Sequence, residues 1–487
     1  MAGQDLHDTD SRWPALLVLC AGMLMIILDQ TVVNVALPAI QTDLGFSQSS
    51  LAWVVNAYLV AFGGLLLLAG RMGDLIGRKR MFLIGLVLFT LASAACGLST
   101  SPAMLIGARF VQGAGGAMAS AVILGMIVTM FPEPAERARA IGVYSFVASA
   151  GAAIGLLLGG FLTQALSWHW IFFVNLPIGV GAGLWAVRLL AAGVGMDTRR
   201  GADVAGAVLV TSGLMLGVYT IVGAADHGWA SVHTLGLGGL SLLLLAAFVA
   251  RQATAATPLL PLRIFRSRHV SGANAVQALM VAGLFGMFFL GSLYLQRVLG
   301  YDPVGIGLAF LPVAAAIGAL SLGVSPRLIT RFGARAVLLP GLILILGGLV
   351  LFTRAPVDGS FVAHVLPSVL LLGLGAGLAL PALMTAGMSG ATPADSGLAS
   401  GLINTTQQVG GALGLAVLAT LATSRTDNLL AEGSSEAAAL TAGYHLAFGA
   451  GAGLLVVAIV VAAVALRPEP AIVIVPATEE APVRDAA

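Results

Sequence analysis

The sequence predicts an all-α polytopic membrane protein. It has fourteen transmembrane helices, arranged as two six-helix bundles with two further helices inserted between them. Three observations carry this. Hydrophobic residues make up 59 % of the 487 and charged residues only 9 %, where soluble domains carry about 25 % charged residues. Mean hydropathy is +1.00, and Gly/Pro clusters and charges cut the chain into about fourteen apolar runs. The basic residues, finally, fall on alternate connections.

A helix crossing hydrocarbon needs about 20 apolar residues. The runs that meet this lie near 14–37, 51–70, 81–98, 103–130, 140–163, 170–190, 204–223, 235–251, 270–294, 304–324, 336–353, 363–388, 398–422 and 441–466. The expected organisation is a cytoplasmic N-terminus (1–13), an N-terminal six-helix bundle (14–190), two inserted helices (204–251), a C-terminal six-helix bundle (270–466) and a disordered cytoplasmic tail (467–487) rich in Pro and Ala. The first apolar run is too long for the apolar part of a signal peptide and is read as a retained helix. Cys20 and Cys96 both lie in apolar runs, which excludes a disulfide framework and a thiolate metal site.

The charges orient the spans. With the N-terminus inside, nineteen basic residues fall on inner segments. Three (Arg297, Arg354 and Arg425) fall on outer loops, and Arg109 inside a span completes the 23. This is a strong positive-inside pattern with both termini cytoplasmic. Twenty-two of the 23 are Arg, which points to a GC-rich bacterial genome and places the chain in a bacterial inner membrane.

An internal echo supports two related halves. "DLIGRKRMFLIG" (74–85) aligns with "TRFGARAVLLPG" (330–341), pairing Gly77 with Gly333, Lys79 with Arg335 and Gly85 with Gly341. Transporters built from such repeats bind cargo between them and rock one against the other. The two inserted helices account for the length between the copies.

In "MLMIILDQTVVNVALP" (23–38), Asp29 follows fourteen residues, Ala15 to Leu28, that are apolar or glycine. Among the acidic residues only Asp29 sits well inside a span, and among the basic ones only Arg109. Such residues cost about 2.5–3.5 kcal/mol on insertion scales and mark ion or substrate pathways. At 1.5 Å rise per residue, Asp29 lies ~13 Å and Arg109 ~9 Å from the outer ends of their helices, so the two can face one cavity. Burial favours the neutral acid and a nearby guanidinium favours the carboxylate. A carboxylate balanced in this way can load and release a proton as water access changes sides. The alternative is a fixed pair holding helices 1 and 4 together.

Small residues flank these charges. Arg109, Gln112, Gly113 and Gly116 share one helical face. In "GAAIGLLLGG" (151–160), Gly151, Gly155 and Gly159 recur at i, i+4, i+8, with Gly160 beside them, which lets helix 5 lie close on a neighbour. "GRMGDLIGRKR" (70–80) mixes Asp74 with basic residues at a helix end. It is either plain inside-positive anchoring or a latch made in one state only.

Together these stretches resemble the fourteen-helix drug:proton antiporters of the major facilitator superfamily. "LDQTVVNVALP" is similar to that branch's helix-1 motif, and "GRMGDLIGRKR" to the superfamily's loop 2–3 motif. "RFVQGAGGAM" resembles the helix-4 motif and "GAAIGLLLGG" the antiporter motif. "WHWIFFVNLPIG" (168–179) resembles the opening of helix 6, and "NTTQQVGGALG" (404–414) a helix-13 motif. The resemblance implies two six-helix major-facilitator bundles plus two inserted helices. It also implies Asp29 as the protonatable coupling residue, Arg109 as modulator of its proton affinity, and Gly73, Asp74, Gly77 and Arg78 as a conformational latch. Gly151, Gly155, Gly159 and Gly160 would be the packing face of the antiporter motif. One position departs: Leu156 stands where the family has a proline, which leaves symport or leak to be tested.

The cargo follows from what is missing. The second half has no carboxylate deep in a span, so a dication would lack counter-charges; lipophilic monocations or neutral amphiphiles fit better. Candidate lining residues are Asn34, Asn56, Tyr58, Gln112, Asn274, Gln277, Met280, Phe288, Tyr294, Asn404 and Gln407, with aromatics and Met giving adaptable apolar contact and amides giving hydrogen bonds. The expected function is proton-motive-force-driven export of drugs or antibiotics by a monomer in the lipid bilayer. The alternative on the same fold is transport of a lipid, siderophore or amino-acid derivative. No HExxH, GxSxG, Walker loop or His/Cys cluster occurs in the sequence, so the reading is of no enzyme, no cofactor, no metal and no nucleic-acid partner.

Overall fold

The computed structural model describes residues 9–47, 50–191, 202–389 and 396–466. Most of the expected N-terminal segment and all of the expected disordered tail, 467–487, lie outside these. Among the described residues sixteen α-helices run in order. The first seven are α1 (Thr9–Leu44), α2 (Trp53–Ile76), α3 (Arg78–Gly97), α4 (Pro102–Met130), α5 (Pro134–Ala165), α6 (Trp170–Phe173) and α7 (Asn175–Leu189). Then come α8 (Val204–His227) and α9 (Val232–Thr254). The last seven are α10 (Arg268–Arg297), α11 (Pro303–Ala319), α12 (Ser325–Phe332), α13 (Ala334–Phe352), α14 (Leu366–Ser389), α15 (Ser396–Ala431) and α16 (Glu436–Ala465). No strand occurs among the described residues.

Thirteen of the described helical segments are long and apolar enough to cross a membrane, with α6 and α7 counted as one crossing and α11 and α12 as another. The 32-residue α5 adds a shorter apolar stretch, Ile154–Ala165. The end of the bundle that holds the start of α1 and the α2–α3 turn is here called the terminal face. Helix starts are chemically fixed. Ser101 accepts from the Met104 N–H at 3.3 Å, just before Pro102. Asp302 accepts from the Gly305 N–H at 2.6 Å, just before Pro303. Both satisfy donors that a helix N-terminus leaves open.

Several helices overrun the expected spans. α1 continues through Pro38 to Leu44, α12 carries Arg327 and Arg331, and α15 carries Arg425, which was expected in a loop. A helix does not stop where the hydrocarbon stops; its backbone bonds remain favourable in the polar layer until a cap or a glycine ends it.

The echo between 74–85 and 330–341 is physical. Gly77 and Gly333 both have positive φ, 97° and 85°, and each breaks one helix from the next, a conformation glycine adopts freely. Two residues on, Lys79 donates to the Leu190 carbonyl at 2.5 Å and Arg335 to the Ala463 carbonyl at 2.7 Å. Gly85 lies against the Gly115 and Ala119 backbone, and Gly341 against that of Gly375 and Ala379. Helix packing repeats as well: α1 on α5 as α10 on α15, α2 on α4 as α11 on α14, and α3 on α4 as α13 on α14.

The hairpin of α8 and α9 packs through α8 on both α2 and α15. Its base is pinned by Asp203, which accepts from Arg251 Nε at 2.5 Å, Gln252 Nε2 at 2.8 Å and the Gly206 N–H at 2.9 Å. Burial alone would raise the Asp203 proton affinity, but these donors outweigh it and hold the carboxyl below its usual range.

The paired glycines give a stability test. A Cβ at Gly85 would sit 2.5 Å from the Ala119 nitrogen, and one at Gly341 2.9 Å from the Ala379 nitrogen, whereas Gly107 has nothing within 4 Å. Gly85→Val and Gly341→Val should each cost about 1–3 kcal/mol, and Gly107→Val less than about 0.5 kcal/mol. Thermal melting of the detergent-solubilised protein reads the ranking.

Candidate functional site

Asp29 and Arg109, separated by 80 positions, meet in the interior. Both are sealed from solvent, at 0 % and 1 % exposure. Arg109 Nη1 reaches Asp29 Oδ2 at 2.5 Å. α1 brings the acid and α4 the base, while α2 passes between and supplies two further contacts to the guanidinium. The Val54 carbonyl accepts from Arg109 Nε at 2.9 Å, and the Tyr58 ring lies under the guanidinium carbon at 4.5 Å. Phe172 adds a second aromatic face at 5.7 Å. Such stacking suits the planar, weakly hydrated guanidinium.

The other carboxylate oxygen is held by amides. Gln112 Nε2 donates to Asp29 Oδ1 at 2.7 Å and Asn175 Nδ2 to the same atom at 3.2 Å. Ser93 Oγ joins them, accepting from Gln112 at 3.1 Å and Asn175 at 2.9 Å and donating to the Phe172 carbonyl at 2.9 Å. Gln112 Oε1 accepts from Arg109 Nη1 at 2.7 Å. Charge and dipoles are therefore matched around an ionised Asp29, as a buried charge requires. Arg109 also keeps partners that do not depend on that charge: Val54, Gln112 and Tyr58.

The glycines of α5 set the position of α1. A Cβ at Gly151 would meet Leu24 at 2.8 Å and one at Gly159 the Val32 backbone at 2.9 Å, while Gly155 faces Thr31. These contacts bracket Asp29. Gly160 faces α11 instead: a Cβ there would meet the Pro303 carbonyl at 2.6 Å, and Gly307 approaches the Leu156 carbonyl. With Leu156 in place of a proline, α5 runs unbroken from Pro134 to Ala165.

At the terminal face, Arg78 Nη2 reaches Asp74 at 3.3 Å and Arg78 Nη1 donates to the Gly125 carbonyl at 2.9 Å. Gly73 lets Val122 close against α2, and Gly77 makes the turn. These contacts tie α2, α3 and α4 together.

The expected cargo-lining residues separate. Phe288 and Gln407 meet at one cavity of about 150 Å³, together with Val281, Leu284, Phe285, Val313, Ile317, Leu372, Ala376 and Leu380. Gln407 is its one polar side chain. Tyr58 and Gln112 belong to the charged network. Met280 is fully buried in the core, and Tyr294 is also buried there, donating to the Pro356 carbonyl at 2.7 Å. Asn34 donates to the Gln30 carbonyl at 3.2 Å, and Asn274 accepts from Thr406 at 2.8 Å. Gln277 is buried and Asn404 exposed on α15. Asn56 is buried with its amide lacking a protein partner among the described residues. A larger, shallower hollow of about 500 Å³, lined by Asp43, Trp168 and His169 among others, lies away from the charge pair.

Sequence reasoning missed Ser93 and Asn175. Asn175 had a signal, as the lone amide in the apolar stretch "IFFVNLPIG". Ser93 had none.

The pair's energetics are open to measurement. Removing one partner of a buried ion pair costs about 3–5 kcal/mol, because the other charge is stranded. Asp29→Asn should therefore lower thermal stability strongly, and adding Arg109→Gln should recover part of the loss. Melting curves of the two variants in detergent check this; a double variant less stable than the single one contradicts it.

Comparisons with known proteins agree with this architecture. The chain is 40 % identical over 462 residues to the "Puromycin resistance protein pur8" of Streptomyces alboniger, covering 93 % of this chain and 90 % of that one. It is 40 % identical to the "Cephamycin export protein CmcT" of Amycolatopsis lactamdurans, covering 87 % and 88 %. To the "Tetracenomycin C resistance and export protein" of Streptomyces glaucescens it is 35 % identical, covering 87 % and 78 %. Among solved structures, a bacterial homologue of the human lysosomal transporter Spinster, inward-facing and unoccupied, matches with a TM-score of 0.68 at 16 % identity, over 94 % of this chain and 97 % of that one. The family profile described as "Major Facilitator Superfamily" matches residues 19–415. With thirteen membrane-length helical segments among the described residues, a repeated helix packing and these relatives, the chain is a multi-pass membrane protein that belongs to the major facilitator superfamily.

Proposed function

We propose that this protein exports lipophilic, neutral or monocationic drugs or antibiotics from a bacterial cell in exchange for protons. It works in the inner membrane as a monomer, with the terminal face cytoplasmic. The observation that carries the cargo class is the lining of the cavity between α10, α11, α14 and α15: nine apolar side chains, one amide and no charge. An apolar ligand gains from burial there, Gln407 offers one hydrogen bond, and a dication would find no counter-charge. The three named relatives, one called a resistance protein, one an export protein and one both, favour outward transport of such compounds.

At about 150 Å³ the cavity is smaller than the roughly 300–1,000 Å³ of drug-sized sites. Cargo binding therefore belongs to a wider state, reached when the unit from α1 to α7 rocks against the unit from α10 to α16. Asp29 is sealed here, so proton exchange belongs to that other state too. Protonation removes the charge that holds Arg109 Nη1, and α1 can then shift against α4. Arg109 meanwhile keeps Val54, Gln112 and Tyr58. The Arg78–Asp74 contact would steady the terminal face in one of the two states.

A toxicity panel of lipophilic cations and antibiotics in an efflux-deficient host tests this reading. Wild type should raise tolerance to several compounds, a protonophore should abolish the effect, and Asp29→Asn should lose it at equal expression. Phe288→Ala should change which compounds are tolerated more than it changes proton dependence. Protection that survives Asp29→Asn and the protonophore contradicts the reading.

A further inference from the structure

The shell around Asp29 is made of donors. Arg109 Nη1 reaches Oδ2, and Gln112 Nε2 and Asn175 Nδ2 reach Oδ1. That set suits a carboxylate, which only accepts; a neutral acid must also donate its O–H. A proton arriving on Asp29 would face N–H groups on every side unless one neighbour turned into an acceptor.

Only one of these neighbours is free to do so. Arg109 has no acceptor atom. Gln112 has one, but its Oε1 already accepts from Arg109 Nη1 at 2.7 Å and lies 3.5 Å from Cys96 Sγ. Turning that amide would aim its NH₂ at the guanidinium. Asn175, fully buried, has an Oδ1 with no protein partner among the described residues.

We propose that Asn175 is a positioning residue that acts as an amide switch for Asp29. In the ionised state its Nδ2 donates to Asp29 Oδ1, and in the protonated state a half-turn about its Cβ–Cγ bond presents Oδ1 to accept the new O–H. This rests on the reading of Asp29 as the proton carrier. The balance is simple. The proton arrives on Asp29 Oδ1 from water in the opened state and leaves from the same atom, and Asn175 neither gains nor loses one. Ser93 tolerates the turn by swinging its single O–H proton from the Phe172 carbonyl to Asn175 Oδ1, while it still accepts from Gln112. The ionisable groups facing the site are Arg109 from α4, Tyr58 from α2 and Cys96 from α3; α5 presents Gly155 and Gly159 to this stretch of α1.

Infrared titration of the purified protein tests the switch without needing a cargo. The carboxyl band that disappears in Asp29→Asn belongs to Asp29. Asn175→Leu keeps the volume and removes both donor and acceptor. Its losses on the ionised and neutral forms should largely cancel, leaving the titration midpoint within about half a pH unit of wild type, whereas Gln112→Leu, losing only a donor to the carboxylate, should raise it by about one unit. The acid band itself should move in Asn175→Leu, because the O–H has lost its acceptor. A midpoint raised in Asn175→Leu as far as in Gln112→Leu makes Asn175 a fixed donor and overturns the switch, as does an acid band unmoved from its wild-type position. If no band titrates with Asp29 between about pH 4 and 9, the proton-carrier reading falls first and the switch with it.

Discussion

One carboxylate in an interior nearly free of charge constrains the rest of this molecule. Asp29 is fully buried, and an isolated charge there would be untenable. Its position requires Arg109 on α4, which requires α2 to offer a carbonyl and an aromatic face. It also requires amides from α4 and α7 on the second oxygen. Four helices are thus registered by one side chain. The glycines of α5 complete the arrangement, since only residues without a Cβ let α5 close on α1 at the level of the acid.

On the proposed reading this network is more than a brace. A brace would be served as well by apolar packing, which often replaces buried ion pairs without loss. What distinguishes the site is that the guanidinium has partners independent of the acid, while the acid has donors and no acceptor. On that reading the base would stay where it is when the acid loses its charge, and the acid would need a local rearrangement to take a proton. Such asymmetry allows one group to change state while its surroundings hold.

Part of this was legible in the sequence. Asp29 and Arg109 stand out because in the sequence every other Asp, Glu, Lys or Arg lies near the edge of an apolar run or in a connection, and the rise of the two helices placed them at one level. The echo of Gly77, Lys79 and Gly85 was legible because glycine and a cation at fixed spacing survive in an apolar background. The lining of the cavity was not, because a Leu or Val facing a cavity reads the same as one facing lipid; of the eleven residues named for cargo, Phe288 and Gln407 reach that cavity. Helix ends were misread for a related reason: the edge of an apolar run marks the hydrocarbon boundary, and α12 and α15 continue past it. Ser93 and Asn175 carry no charge and recur at no spacing, so their role emerges only once α3 and α7 are folded against α1.

The most direct measurement follows protons in vesicles holding only the purified protein. When a transported cation such as ethidium runs down its own gradient, the account predicts proton movement in the opposite direction in wild type and none in Asp29→Asn, although the cation still crosses. Proton movement that persists without the Asp29 carboxyl, or cation flow in wild type with no opposing protons, would contradict it.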